Sequence, residues 1–277
     1  PVLHEWCDHL AQPRIFVVLT AAVRAFINLA RRGLRDQQRN TTERQEMYQQ
    51  VVRRWAVASN VAVVFAENSG ADLLPIEAVV PAWRKPNFEF ISVPSFPERL
   101  PSRGRPDVGR LEARTIVHAL NTSQLLATRC PNDVVFGITS RYFVHDFERR
   151  VREKCLNGRR NTMLTAATSV TPLPLPRVLV QNPVWRDASS ERRSHERETS
   201  VLGFAASHAF DVLSWCVAPI PATFEEYAHL SIGSEVHLGK LVHRMSGENG
   251  GSYVCDLPSL PIMPVKEGST GKWRDSL

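Results

Sequence analysis

Three polar clusters in this 277-residue chain carry side chains able to bind or transfer groups, and each adjoins an apolar stretch. The first is Glu67-Asn68-Ser69-Gly70-Ala71-Asp72, directly after the apolar run Val61–Ala66. Glu67, Asn68 and Ser69 offer hydrogen bonds to a base or ribose, and Gly70 lets a backbone approach closely. The same residue types also make an ordinary strand-to-helix turn. The second cluster runs from Gly104 to Gly109 and leads into a helix that contains Glu112. A glycine ahead of a helix N-terminus exposes backbone amides to a phosphate, although no Gly-Lys-Ser/Thr follows as in a P-loop. The third is Thr139-Ser140-Arg141-Tyr142. It supplies hydroxyls and one fixed positive charge, or else an arginine paired with an acidic neighbour and a tyrosine packed on a sheet.

A transfer reaction also needs a base. Glu198, Glu225 and Glu226 are carboxylates for that role, each equally readable as a solvated charge. The local sequence supplies no catalytic partner for His118 or His145. The five cysteines, Cys7, Cys130, Cys155, Cys216 and Cys255, show no CxxC and no Cys/His zinc spacing. A Cys130–Cys155 disulfide is conceivable without local support. No serine nucleophile elbow is present. Asn40-Thr-Thr and Asn121-Thr-Ser fit the glycosylation acceptor pattern, the latter inside a predicted helix.

These clusters must be positioned by the elements around them. Arg14–Thr20 and Val61–Ala66 read as buried strands, Asn87–Val93 as an alternating strand, and Asp133–Ile138 and Arg177–Val180 as two more. Glu43–Ala58 has Met47, Val51, Trp55 and Ala58 at helical spacing, with Thr41 or Thr42 as N-cap. Gly109–Thr128 reads as one helix with Leu111, Ile116, Ala119, Leu120 and Leu126 on its apolar side. Phe143–Cys155 reads as a charged amphipathic helix, and His208–Cys216 and Phe224–Leu230 as short helices. Asp187–Thr199 is dense in charge and reads as a mobile loop, and the Gly/Pro/Ser-rich stretch Gly247–Gly271 as a surface tail. Strands alternating with helices predict an α/β fold, a Rossmann-like domain with a mainly parallel central sheet flanked by helices. The simplest organisation is an N-terminal extension at 1–13, one domain over 14–271 and a tail at 272–277. Ligands of such a sheet bind beyond the carboxyl ends of its strands, which is where the three clusters fall.

Bulk composition narrows the partners only a little. With 43% hydrophobic and 22% charged residues the chain is an ordinary globular sequence. No apolar run reaches the length of a membrane span. The chain opens on Pro1 and reads as a processed or excised segment, so cytoplasm and a Golgi or secretory lumen both stay open. The net charge is +6, and Lys stands at five positions only, leaving 29 of the 34 basic residues as Arg. These arginines are dispersed and form no basic cluster interleaved with aromatics, which argues against a nucleic-acid partner.

The order of the clusters carries more. A strand ending in a polar turn, a helix introduced by glycine, and a strand ending in a polar cluster resembles the donor-binding half of GT-A-type glycosyltransferases. More narrowly, Gly109-Arg-Leu-Glu-Ala113 through Asp133–Val144 resembles a bacterial, viral and algal group of glycosyltransferase-like proteins. That group carries a "GxxEA … KxTGRY" segment and an "ENS" turn, which Glu67-Asn68-Ser69 matches. A later Glu…Gly-Phe element is similar to Glu198…Gly203-Phe204, and an acidic helix and a Gly-Ser-rich close are similar to Phe224-Glu225-Glu226 and Gly268–Gly271.

The resemblance implies a nucleoside diphosphate sugar as donor and a glycan or other hydroxyl acceptor, with a nucleotide-sugar half at 14–146 and an acceptor half at 147–271. It puts Glu67, Asn68, Ser69, Gly109, Glu112, Thr139, Ser140 and Tyr142 at the donor, and Arg141, Glu198 and Glu225 in catalysis. Two departures qualify it. The pattern's Lys is Gly137 and its Gly is Ser140. Many GT-A enzymes hold Mn2+ or Mg2+ with an Asp-x-Asp at this strand end, where this chain has Thr139-Ser140-Arg141 and no carboxylate. The expectation is therefore no metal-ligand residue at this strand end, with Mn2+ or Mg2+ left open as cofactor and Arg141 taking part of the metal's place by neutralising the leaving diphosphate. A catalytically inactive binding or scaffold domain is the alternative.

Overall fold

The structure is a computed structural model that describes residues 12–23, 41–94, 108–157, 178–181, 198–209, 212–213, 254–257, 265–266 and 273–274. Its frame is a seven-stranded sheet ordered β3-β2-β1-β4-β6-β5-β7. The strands are β1 (Ile15–Ala21), β2 (Ala62–Glu67), β3 (Phe88–Ser92), β4 (Val134–Thr139), β5 (Val178–Gln181), β6 (Glu198–Ala205) and β7 (Val254–Leu257). Only β6 runs against the others. It pairs antiparallel with β4 and β5, while β1–β2, β1–β4, β2–β3 and β5–β7 are parallel. A second, two-stranded ladder joins β8 (Val265–Lys266) to β9 (Trp273–Arg274).

The central strands are apolar on both faces because helices cover both. Ile15, Val17, Leu19, Val63, Phe65, Val134, Phe136 and Ile138 share one buried cluster with helix α1 (Thr41–Ala58). Phe16, Val18, Val64, Ala66 and Val135 share the other with helix α3 (Val108–Thr122). Helix α2 (Leu74–Glu77) follows the turn after β2. The stripe that α1 buries is Tyr48, Val51, Val52, Trp55 and Ala56. Ala58 is exposed and Met47 half-buried, so the face is turned by about one residue from the predicted one. The polar groups of Trp55 and Tyr48 decide that rotation. Trp55 Nε1 donates to the Tyr142 carbonyl at 3.1 Å, and Tyr48 Oη donates to the Ala22 carbonyl at 3.2 Å. Thr41 and Thr42 both lie within the helix.

Three predicted elements need correction. The single helix predicted over Gly109–Thr128 is two, because Ser123 is extended (φ −68°, ψ 127°) and caps a short second helix, α4 (Gln124–Ala127). The Ser123 hydroxyl accepts from Leu126 N at 2.9 Å, and the Glu89 carboxylate of β3 accepts from Ser123 Oγ, Gln124 N and Leu125 N. A carboxylate against free helical N–H groups favours a new N-terminus over a continuous rod.

The helix predicted over Phe143–Cys155 starts only at Phe147. Tyr142, Phe143 and Val144 are instead buried in extended chain, and Asp146 turns the corner in the left-handed region at φ 54°. Helix α5 (Phe147–Val151) then widens into a π turn at Arg152–Asn157. The stretch predicted as a surface tail contributes Val254–Leu257 as strand β7 beside β5. Of the predicted helix His208–Cys216, residues 209 and 212–213 are helical; Phe224–Leu230 lies outside the described residues.

Two close approaches fix how the layers sit. A Cβ on Gly137 would strike Ile116 Cδ1 of α3, and one on Gly203 would strike the Phe136 ring. Gly137 thus stands where the helix presses on β4, which explains why a lysine cannot occupy that place in this packing. At the opposite end of the sheet Asp133, almost fully buried, accepts from Arg14 N (2.8 Å), Arg14 Nε (3.1 Å), Arg14 Nη2 (2.7 Å) and Cys130 N (2.7 Å). Both described core cysteines, Cys130 and Cys155, are disulfide-bonded.

Candidate functional site

Strand β1 is flanked by β2 and β4, so the chain leaves it on one side and returns on the other. Such a reversal opens a crevice beyond the carboxyl ends of the strands. The polar clusters after β2 and β4 stand at that edge. Antiparallel β6 begins there too, since Val201 pairs with Ile138 and Ala205 with Val134, which puts the backbone of Glu198 at the same edge. Glu198 is the first residue of β6 rather than the end of a loop.

The residues divide into those that build the edge and those that line it. Glu67 is fully buried. Its Oε1 accepts from Val23 N at 3.0 Å, Ser69 N at 2.9 Å and the Ser69 hydroxyl, and its Oε2 from Ala71 N at 3.0 Å. The carboxylate therefore ties the chain after β1 to the turn after β2, with its lone pairs taken up internally. Ser140 does the equivalent for β4: it is fully buried, and both its N–H (2.9 Å) and its hydroxyl (2.7 Å) donate to the Thr20 carbonyl. Tyr142 closes a turn by donating its N–H to the Thr139 carbonyl, and its buried side chain joins the cluster on the α1 side of the sheet. These three side chains, expected at a ligand, work as framework.

On the α3 side a line of polar side chains remains, two hydrogen-bonded pairs joined only by their shared helix. Asn68 sits against the end of β1, its N–H donating to the Ala21 carbonyl at 3.0 Å. Its Nδ2 donates to Thr115 Oγ1 at 2.9 Å. Thr115 lies three residues after Glu112 on α3, so the two share a helix face. Glu112 Oε1 accepts from Thr139 Oγ1 at 3.1 Å, and Thr139 stands two residues before Arg141. The line runs from β2 across the helix to β4. Gly109 lies in the first turn of α3 at the same end.

Arg141 is half-buried, and its guanidinium has no hydrogen-bond or ion-pair partner among the described residues. Arg53 and Arg150 also lack such a partner, whereas Arg14, Arg149 and Arg152 are bonded to carboxylates and Arg44, Arg84 and Arg129 to backbone carbonyls. Thr115 escaped the sequence reading, although its spacing from Glu112 was the available signal. Glu225 lies outside the described residues.

A divalent cation fits this strand end poorly. Thr139 and Ser140 already donate their hydroxyl protons to protein oxygens, and Arg141 brings a positive charge. Glu112 is the one carboxylate linked to them, and among the described residues no three His, Cys, Asp or Glu groups are placed to share an ion. Hard cations take six or more oxygen ligands, carboxylates foremost.

No helix among the described residues is long and apolar enough to cross a membrane. No protein-family model matches the chain, and no curated protein aligns with it. Among solved structures the chain is similar to the galactosyltransferase LgtC in complex with donor and acceptor sugar analogs, at 13% identity and a TM-score of 0.42 over 87% of this chain and 72% of that one. It is also similar to a chain from Desulfovibrio desulfuricans G20 assigned to the nucleotide-diphospho-sugar transferases, at 12% identity and a TM-score of 0.42 over 89% and 80%.

Proposed function

We propose that this chain is a glycosyltransferase that moves a sugar from a nucleoside diphosphate sugar to a hydroxyl acceptor such as a glycan. The observation that carries the reading is the pairing, at one switch point, of an uncommitted Arg141 with the line Asn68–Thr115–Glu112–Thr139. An anionic diphosphate suits the first and a hydroxyl-rich, hydrogen-bonding nucleoside or sugar suits the second. The sequence resemblance also puts Asn68, Glu112, Thr139 and Arg141 at the site, but not Thr115.

In this mechanism the bond from the anomeric carbon to the diphosphate oxygen breaks, and its electron pair leaves with the diphosphate. Arg141 stabilises that growing charge from a fixed position, which lowers the barrier because no solvent has to reorganise. The acceptor oxygen bonds the anomeric carbon and gives its proton to a carboxylate. Glu198, with its backbone at the crevice edge, is our choice for that base, with Glu225 the second candidate. Glu67 and Ser140 serve by holding the loops, and no step runs through a metal.

The test is calorimetric titration with UDP and GDP, then a donor-hydrolysis screen with and without chelator. Failure of every common nucleotide to bind would sink the proposal, and strict dependence on Mn2+ or Mg2+ would sink the role given to Arg141. A second reading has one observation in its favour, the strand end that carries no carboxylate: a domain that binds the nucleotide but does not turn it over. Binding without transfer to a broad acceptor panel is its signature.

A further inference from the structure

Asn68 is 5% exposed, yet its Oδ1 has no hydrogen-bond partner among the described residues. Buried carbonyl oxygens are nearly always paired, and leaving one bare costs roughly 1–3 kcal/mol. The amide cannot relieve this by flipping. Thr115 Oγ1 spends its single hydrogen on the Leu111 carbonyl at 2.8 Å, so toward Asn68 it can only accept. It must therefore face the Asn68 NH2 group, at 2.9 Å, which turns Oδ1 away. Thr115 is itself fully buried, so no water competes for its hydroxyl. The backbone N–H of Asn68 is likewise committed, to Ala21. What is left over is one acceptor, held in a fixed direction, at the carboxyl edge of β2.

We propose that Asn68 Oδ1 is a specificity-determining acceptor that takes a hydrogen from the nucleoside part of the ligand, with Thr115 as the positioning residue that keeps it aimed. The proposal rests on the nucleotide reading above and deepens it. The diphosphate is excluded as the partner because it has no hydrogen to give at neutral pH. The donor is then a base N–H or a ribose O–H, both of which present a hydrogen to a carbonyl. This differs from a structural asparagine, whose carbonyl would already have an internal donor.

The experiment titrates the full chain with UDP, with UDP methylated at uracil N3, and with 2′-deoxy- and 3′-deoxy-UDP. Wild type is expected to bind one of these analogues at least tenfold more weakly than UDP, which also says whether base or ribose is read. Asn68→Leu is expected to weaken UDP by the same factor while leaving the analogue's affinity where it was. Thr115→Val, nearly isosteric and hence the safer variant for folding, frees the amide to rotate and is expected to shrink the UDP-to-analogue ratio. A merely structural role would lower stability without moving that ratio. Equal binding of all analogues by wild type, or an unchanged ratio in both variants, overturns the assignment of Asn68. Absence of binding of every common nucleotide by wild type is a different failure and removes the nucleotide reading instead.

Discussion

Glu67 is the residue for which sequence and structure assign the most different work, and its removal separates the two. In the structure its carboxylate accepts three backbone N–H groups at 2.9–3.0 Å and one hydroxyl. Hydrogen bonds to a charged group contribute roughly 1.5–3 kcal/mol each, and a buried donor left without a partner costs about 1–3 kcal/mol. Val23 is buried, so its N–H bears that full penalty in Glu67→Ala, whereas Ser69 and Ala71 are half-buried and regain water. The expected loss for Glu67→Ala is therefore about 3–5 kcal/mol, close to the two largest contributions and well below the sum of four. In Glu67→Gln the amide nitrogen meets the N–H of Ala71, the least enclosed contact, and about 1–3 kcal/mol is lost. Urea denaturation followed by circular dichroism reads this directly: at a slope of roughly 1–3 kcal/mol/M, the midpoint of Glu67→Ala falls by about 1–5 M. The reasoning is refuted if Glu67→Ala loses under about 1 kcal/mol, or if Glu67→Gln keeps full stability and abolishes UDP binding. The second result would make Glu67 a ligand contact after all.

Arg141→Ala is expected to weaken UDP roughly 10–100-fold, the value of about one charge-assisted hydrogen bond, with the melting temperature unmoved since the guanidinium bonds none of the described residues; calorimetry and a thermal melt check both halves. Gly203→Ala places a methyl in the Phe136 ring and is expected to cost about 1–3 kcal/mol by urea denaturation, with ligand affinity preserved. Reducing the disulfides of Cys130 and Cys155 should lower stability by roughly 2–4 kcal/mol per bridge, seen as a dithiothreitol-dependent fall in melting temperature. The side-chain hydrogen bond and charge of Arg149 hold the exposed Asp146 carboxyl below its ordinary range. A depressed folded pKa means that this pair stabilises the fold above the ordinary carboxylate range and fades as pH falls through the lowered value. Arg149→Ala should return the Asp146 midpoint, followed by NMR, upward.

The frame was legible because its signals are local. Runs such as Ile15–Leu19 and Ala62–Ala66 are apolar at every position, which a strand buried on both faces requires and a helix of that length does not. The misread elements were those settled by a distant partner. Nothing within Gly109–Thr128 announces that a carboxylate on β3, Glu89, will receive the N–H groups of Gln124 and Leu125 and split the helix. Val254–Leu257 is four residues long in a Gly/Pro-rich stretch, and only the open edge of β5 makes it a strand.

The same distinction explains the site. Residue type and order located the edge, since Glu67, Thr139 and Arg141 all stand where β2 and β4 end. Local chemistry does not say which of several polar side chains are used up by the fold, because their partners lie 44 residues away for Glu67 with Val23 and 120 for Ser140 with Thr20. Hydrogen-bond accounting among the described residues makes that division: the Glu67 carboxylate is taken up by the fold, whereas Asn68 Oδ1 and the Arg141 guanidinium have no partner there. A motif of this kind therefore marks where a ligand goes more reliably than which of its residues touch it, and substitutions at its most recognisable position, Glu67, test the fold before they test the chemistry.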